Sequence, residues 1–239
     1  MTGSSPLRLS IIVPIWNDPT ALRAILTTLA TLRGVDEIIV GDASTSAESA
    51  QLARDFGATV VRSEKPGRGQ QMNAAAAAAT GDIFLFQHAD TELRQEHIDS
   101  LRLAMNCDHV CGGAFHRKFD ARHPSLTWLE GWNRMLLEAG GTVFGDQSIF
   151  ARRTVFLRMG GFADFRLMED VDFSRRLLRE GRRVLLDPPI ATGARHHEKG
   201  GSWRTSLRNG AMLVLYYAGA SPDFLHAWYY RRWTTASAA

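Results

Sequence analysis

The stretch Gly81-Asp-Ile-Phe-Leu-Phe-Gln-His-Ala-Asp-Thr91 is an apolar run that stops abruptly in a His, an Asp and a Thr. Ile83 to Phe86 has the continuous hydrophobic character of a strand buried on both faces of a parallel sheet, and polar residues follow directly. In open α/β sheets ligands bind beyond the carboxyl ends of strands, so Asp90 stands where a ligand-handling carboxylate is expected. A structural alternative is a cap or turn residue ahead of a helix over Leu93 to Met105.

Upstream of this stretch, Leu9 to Ile15 is a β-branched run with Pro14 near its end, followed by the loop Asn17-Asp-Pro19. The spacing of apolar residues predicts a helix over Ala21 to Leu32, capped by Asp18 or Thr20. Glu37 to Gly41 reads as a second strand with Asp42-Ala-Ser-Thr45 at its carboxyl end, and Ser46 to Phe56 as a helix. Thr59 to Arg62 is a third strand, and Gly67 to Ala79 is an Ala-rich helix entered through Gly67-Arg-Gly69. Asp82 to Gln87 is then the fourth strand. Three short strand-helix units in succession call for right-handed crossovers and a parallel sheet.

Downstream, Val110 to Phe119 is strand-like, with glycines that permit close backbone approach. Pro124 to Ala139 is read as a helix, Gly140 to Gly145 as a loop and Gln147 to Ala151 as a strand. Glu169-Asp170 opens a helix with Phe173, Leu177 and Leu178 inward and Arg175, Arg176 and Arg179 outward. Helical segments from Trp203 and over Phe224 to Trp233 complete the chain.

With 239 residues, 45% of them hydrophobic and 22% charged, the chain has ordinary globular composition and enough length for a sizeable core. The net charge is only +3, but the second half is rich in arginine, which suits an anionic small molecule or an acidic lipid surface. No basic-and-aromatic pattern for nucleic acid stands out. Cys107 and Cys111 are the only cysteines. They lack metal spacing and read as small buried hydrophobes in a reducing compartment. Neither a signal-peptide layout nor a run of about 18 apolar residues is found, so a cytoplasmic protein, soluble or peripherally attached, is expected.

A dinucleotide-binding fold is disfavoured, because the turn Pro14-Ile-Trp-Asn-Asp-Pro19 has no Gly-x-Gly-x-x-Gly through which a pyrophosphate could approach the backbone. There is no Walker A sequence either. Instead Asp42 and Asp90 stand at the ends of separate strands, and anionic phosphates beside a carboxylate require a hard divalent cation such as Mg²⁺ or Mn²⁺.

The blocks Ile11-Ile-Val-Pro-Ile-Trp-Asn17, Glu37-Ile-Ile-Val-Gly-Asp-Ala-Ser44, Gln71-Met-Asn73, Gln87-His-Ala-Asp90, Gly145-Asp-Gln-Ser-Ile-Phe150 and Met168-Glu-Asp-Val-Asp-Phe-Ser-Arg-Arg176 together resemble family two inverting glycosyltransferases of the GT-A fold. Gly67-Arg-Gly-Gln-Gln-Met-Asn73 with His88-Ala-Asp-Thr91 is most similar to the radical-SAM/selenodomain-associated subgroup. Each block is weak alone; six in the right order are specific. The resemblance runs from about Leu9 to Gly201. It implies a single α/β GT-A domain with a central, mostly parallel sheet and helices on both faces. In that reading 8–106 is the nucleotide-binding half, 107–201 the acceptor and catalytic half, and 202–239 a helical tail.

The resemblance also implies roles. Asp42 matches the aspartate that accepts from the ring N–H of uracil or another pyrimidine, a helix cap before Ala47 being the structural alternative. Pro14, Asn17, Arg68, Asn73, His88 and Ala89 fall in nucleotide-binding blocks, although Arg68 also fits an exposed surface arginine and Asn73 a tie between two loops. Asp90 matches the carboxylate that holds the metal bridging the donor diphosphate, Mn²⁺ or Mg²⁺. His88 replaces the first carboxylate of the family's Asp-x-Asp, and either ligates the metal or packs at the strand end.

Asp170 matches the catalytic base, with Glu169 orienting it or the acceptor. Two carboxylates at a helix start are also favoured by the helix dipole. His116, Trp132 and Asp146 are candidate acceptor contacts, with core packing the alternative for Trp132. Arg195 and His196 are the phosphate-facing candidates. The donor implied is a UDP-sugar, and the acceptor a hydroxyl compound, a lipid among the candidates. The tail meets a membrane surface, a partner helix or the rest of the domain. Two rival functions are a nucleotidyltransferase of related topology, for which the phosphate loop is missing, and a non-catalytic nucleotide-sugar or lipid-carrier binding module, which has no need of Glu169-Asp170.

Overall fold

The structure, a computed structural model, describes residues 6–119, 141–192 and 202–234. Its first half is the anticipated succession: β1 (Leu9–Ile15), α1 (Pro19–Leu29), β2 (Glu37–Asp42), α2 (Glu48–Asp55), β3 (Thr59–Arg62), α3 (Arg68–Ala78) and β4 (Ile83–Phe86). There follow β5 (Thr91–Glu92), α4 (Gln95–Met105), β6 (Val110–Phe119), a 3₁₀ turn over Gly145–Gln147, β7 (Phe150–Arg152), α5 (Arg153–Arg158), α6 (Glu169–Leu177), β8 (Arg182–Thr192), α7 (Ser202–Tyr217) and α8 (Pro222–Thr234).

All eight strands form one sheet in the order β3-β2-β1-β4-β7-β6-β8-β5. The first four are mutually parallel. β7 runs antiparallel to both β4 and β6, while β6 and β8 run parallel to each other. The start of β7 and the ends of β1 to β4, β6 and β8 therefore share one edge of the sheet.

Alternation along the strands divides the core in two. Ile11, Val13 and Leu85 face α1, α2 and α4, whereas Ile12, Phe84 and Phe86 face α3, α5 and α6. α3 is built of Ala and Gly because it lies directly on the sheet. A Cβ on Gly41 would come within 2.4 Å of the Gln71 carbonyl oxygen.

Two features of this sheet position the site. The ladder between β1 and β4 ends at Ile12 and Phe86, and Pro14, which has no N–H to offer, lies just beyond it. Strand order reverses here, β2 and β3 lying to one side of β1 and β4 to the other, which opens a crevice above the carboxyl ends. The second feature is a Phe cluster. Phe86, the last residue of β4, packs on Phe162 and Phe173 with ring centroids 4.8 and 6.2 Å away, and Phe162 stacks on Phe173 at 4.4 Å. This draws the N-terminal turn of α6 to the end of β4.

Several expectations are corrected. Gly145–Gln147 forms a 3₁₀ turn, so the strand after it is Phe150–Arg152 rather than Gln147 to Ala151. Ser148 adopts a left-handed conformation there, with φ of 49°. On α6, Leu178 is exposed while Val171 and Ser174 are buried, and Arg176 points inward to bond Asp172 and the carbonyls of Met159 and Gly161. Cys107 is exposed; only Cys111 behaves as a buried hydrophobe. Trp132, Arg195 and His196, with the segment Pro124 to Ala139, lie outside the described residues. Among the described residues no helix is long and apolar enough to cross a membrane.

Candidate active site

The crevice edge collects side chains from both halves of the chain. On the β1–β2 side, Asn17 sits at φ of 50° and ties two loops together. Its N–H donates to Ser44 Oγ at 2.9 Å, and its Oδ1 accepts from Thr45 N at 2.9 Å. Asp42 ends β2 and is fully buried. Its Oδ1 accepts from Ser44 N at 2.8 Å, and its Oδ2 pairs with Arg62 Nη1 at 2.7 Å. α2 is capped at Ala47 and α4 at Arg94, so neither Asp42 nor Asp90 serves as a helix cap.

The loop after β4 is shaped by Gln87, a fully buried amide. Its Nε2 donates to the His88 and Thr91 carbonyls at 3.0 and 2.7 Å, and its Oε1 accepts from Ser148 Oγ at 2.6 Å. Ala89 is half-buried and packs against the core. His88 lies across Gly145 so closely that a Cβ there would meet the imidazole Cε1 at 2.7 Å. Burial, followed by the Arg68 charge, pushes the His88 imidazole below its ordinary value, while Asp90, Asp146 and Asp170 oppose that shift. Gly145 lies between this ring and the Asp170 carboxylate, so segments distant in the chain meet here.

Asp170 is held at the start of α6. Its Oδ2 accepts from Gly145 N at 2.8 Å and its Oδ1 from Val171 N at 2.8 Å. Beside it Glu169 is only 2% exposed and pairs with Arg68 Nε at 2.8 Å. Glu169 Oε2 is buried without a hydrogen-bond partner. Burial pushes this carboxyl above its ordinary value, the Arg68 charge works against that, and Asp170 adds to it. Although the ion-pair geometry alone would favour the ionised form, desolvation is the larger influence. Asp146 pairs with Arg117, whose guanidinium lies 5.5 Å from the Phe144 ring centroid.

Two further sequence candidates lie within the protein's packing rather than on its surface. Asn73 clamps α3 to the segment before α6, its Nδ2 donating to the Phe162 carbonyl at 2.8 Å and its Oδ1 accepting from Phe162 N at 2.9 Å. This is the loop-tying alternative. His116 is buried within β6. Arg62, Gln71 and Gln87 were missed by the sequence reading. Gln71 Nε2 reaches the carbonyls of both Ile15 and Gly41; for Gln87 the signal is a polar residue directly after the apolar run Ile83–Phe86, whereas Arg62 carries none within its own segment.

Among the described residues no three His, Cys, Asp or Glu side chains form a ready-made metal cage. Asp90 is exposed, and among the described residues its carboxylate accepts only a long bond, from Thr91 Oγ1 at 3.5 Å. This donor set fits a hard divalent cation held by one carboxylate and completed by phosphate oxygens and water.

A twisted, mostly parallel sheet with helices on both faces and acidic residues at its switch-point edge defines the GT-A class. The family description "Glycosyl transferase family 2" matches residues 10–159, and the chain belongs to that family. It is 26% identical to the pre-mycofactocin glycosyltransferase of Mycobacterium tuberculosis, a match that takes in 92% of this chain and 48% of that protein. The chain thus spans about half the length of the curated relatives it matches.

Among solved structures, it resembles the mannosyltransferase PcManGT from Pyrobaculum calidifontis in complex with GDP-Man and Mn²⁺, with a TM-score of 0.70 and 18% identity over 94% of this chain and 69% of that one. It also resembles glucosyl-3-phosphoglycerate synthase from Mycobacterium tuberculosis with Mn²⁺, UDP and phosphoglyceric acid, with a TM-score of 0.57 and 19% identity over 90% of this chain and 80% of that one. At these identities the structural likeness establishes the fold.

Proposed function

We propose that the chain is an inverting glycosyltransferase that moves a sugar from a nucleoside-diphosphate sugar to an acceptor hydroxyl. The observation that carries this reading is the meeting of the loop after β4 with the start of α6 beside the β1–β4 crevice, where Gly145 lies against both the His88 ring and the Asp170 carboxylate. The solved relatives bind UDP or GDP-Man together with Mn²⁺, which supports a nucleotide-sugar donor and a divalent cation here, with UDP the first nucleotide to test.

In this reading Pro14, Asn17, Asp42 and Arg62 line the nucleoside side of the crevice. Asp90 would hold the cation, which supplies charge neutralisation to the departing diphosphate when bound. Arg68 adds a fixed positive charge nearby, and burial pushes the His88 imidazole below its ordinary value, toward the neutral form. Asp170 takes the proton from the acceptor hydroxyl as that oxygen attacks the anomeric carbon from the face opposite the leaving group. Its two backbone N–H donors, from Gly145 and Val171, hold the carboxylate in a single orientation.

Glu169 and Arg68 fix the α6 entry against α3. The exposed Val214, Tyr217 and Phe224 on the C-terminal helices suit an acceptor carried on a lipid, with the protein working at a cytoplasmic membrane face. The testing experiment incubates purified protein with UDP- and GDP-sugars, with and without Mn²⁺, and follows nucleotide release. Mn²⁺-dependent release is expected. Tight nucleotide binding with no release from any donor, even with simple alcohol acceptors, would favour a binding module instead.

A further inference from the structure

The segment that leads into the 3₁₀ turn, Thr142 to Gly145, is held against α6 at two points one helical turn apart. Val143 N donates to Ser174 Oγ at 2.9 Å, and Gly145 N donates to Asp170 Oδ2 at 2.8 Å. Two residues of extended chain span about 6.6 Å and four residues of helix about 6 Å, so donors two apart on the segment match acceptors four apart on the helix. Phe144, between them, has extended backbone. The segment therefore runs antiparallel to α6, and Thr142 lies toward the carboxyl end of that helix. There the last turn of α7 meets it. Tyr217 and Thr142 share a hydrogen bond between their hydroxyls. The guanidinium of Arg175, next to Ser174 on α6, lies 5.9 and 5.4 Å from the ring centroids of Tyr216 and Tyr217. Met212, one turn before Tyr216 on the same face of α7, is buried. Ser174 Oγ also accepts from Arg183 Nη1 at 3.1 Å, so β8 steadies the middle point.

We propose that Tyr217 is a positioning residue for Asp170, acting through Thr142 on the segment whose Gly145 N–H orients that carboxylate. The proposal rests on the reading of Asp170 as the base. Of the two N–H donors on Asp170, Val171 belongs to the same helix and moves with it, whereas Gly145 ties the carboxylate to a separate part of the fold. The bond from Val143 to Ser174 alone would let the segment pivot about one point; the bond at Thr142 removes that freedom. α7 carries none of the groups assigned to nucleotide or cation, so its influence falls on the base. The Tyr217 ring is 52% exposed, so deleting its hydroxyl disturbs little of the core.

The test compares Tyr217→Phe, Thr142→Val, the double variant and Thr142→Ser with wild type. Turnover is measured with Mn²⁺ and whichever UDP- or GDP-sugar the wild type consumes fastest, and affinity for the matching nucleoside diphosphate by calorimetry. Each hydroxyl deletion should lower kcat about tenfold, the rate equivalent of one hydrogen bond, with nucleotide affinity within about twofold of wild type. The double variant should fall no further than either single one, because both remove the same bond. Thr142→Ser keeps a hydroxyl and should recover most of the rate. Thr142→Val carries the test if Tyr217→Phe does not fold. A folded deletion variant with wild-type kcat would overturn the assignment, as would a loss of nucleotide affinity equal to the loss of rate, which marks a general structural bond. Asp170→Asn, measured alongside, separates the two ways of failing. If that variant turns over normally, the base reading falls and the proposal with it; if it is inactive while the hydroxyl deletions are not impaired, the base stands and the proposal alone falls. A wild type that consumes no donor would remove the transferase reading and, with it, the role given to Tyr217.

Discussion

Glu169 is the side chain in this site with the largest unmet demand. One carboxylate oxygen is paired with Arg68 and the other is buried without a partner, an arrangement that costs free energy whenever the group is charged. Burial raises its pKa above the ordinary 4.5, so above pH 4.5 the native state keeps a proton that the unfolded chain has lost. The stability gained from that proton is complete below 4.5 and is lost as pH rises through the raised folded value. Urea midpoints measured across this range should therefore fall with rising pH in the wild type, and Glu169→Gln should lack that part of the decline; superimposable profiles would remove the assignment.

Gly145 gives a second prediction at this scale. A methyl group there would meet His88 Cε1 at 2.7 Å and Asp170 Oδ2 at 3.4 Å, so Gly145→Ala should shift the base. A misplacement of about 1 Å costs on the order of a hundredfold in rate. The expected outcome is a large fall in kcat with a melting temperature that still reports a folded protein.

Among the elements, α3 holds the two halves of the site in register. Gln71 binds the ends of β1 and β2, Arg68 binds Glu169, and Asn73 binds Phe162 just before α6. Asn73→Ala removes two bonds to the backbone and leaves its donor and acceptor there unpaired. It should destabilise the protein by about 1–3 kcal/mol, read as a lower denaturant midpoint, and a midpoint matching the wild type would contradict the clamp.

The first four strands and their helices were legible because their apolar runs are short, unbroken and punctuated by Gly, Asn and Pro. β8 was not anticipated, and its prolines explain why. Pro188 and Pro189 argue against a strand by the usual rule, yet they fall where the β6 ladder skips from Leu186 to Ile190, at an irregularity that needs no N–H from them. β5 and α5 are too short to show a period. Asp42, Asp90 and Asp170 could be singled out because a carboxylate after an apolar strand, or at the mouth of a helix, is conspicuous in a sequence. Arg62 could not, because its importance comes from strand register, which no single segment encodes.

For the molecule as a whole, the division of labour follows from topology. Parallel strands put every loop that carries a ligand-facing residue on one edge, and the antiparallel β7 brings the Gly145–Ser148 turn to that same edge from the second half of the chain. The Phe cluster then fixes α6 against the end of β4, so the loop that carries His88 and the helix start that carries Asp170 meet at Gly145. The proposed mechanism accordingly separates two roles: groups before β5 would bind nucleotide and cation, while Asp170 would serve the step at the acceptor.

The most direct measurement compares Asp170→Asn with wild type in two assays on the same preparation, UDP binding with Mn²⁺ and sugar transfer or donor hydrolysis. The account predicts UDP affinity within about twofold of wild type, since the amide keeps the side chain's shape, and turnover lowered by at least about a hundredfold through loss of the base. Normal turnover in that variant would contradict it.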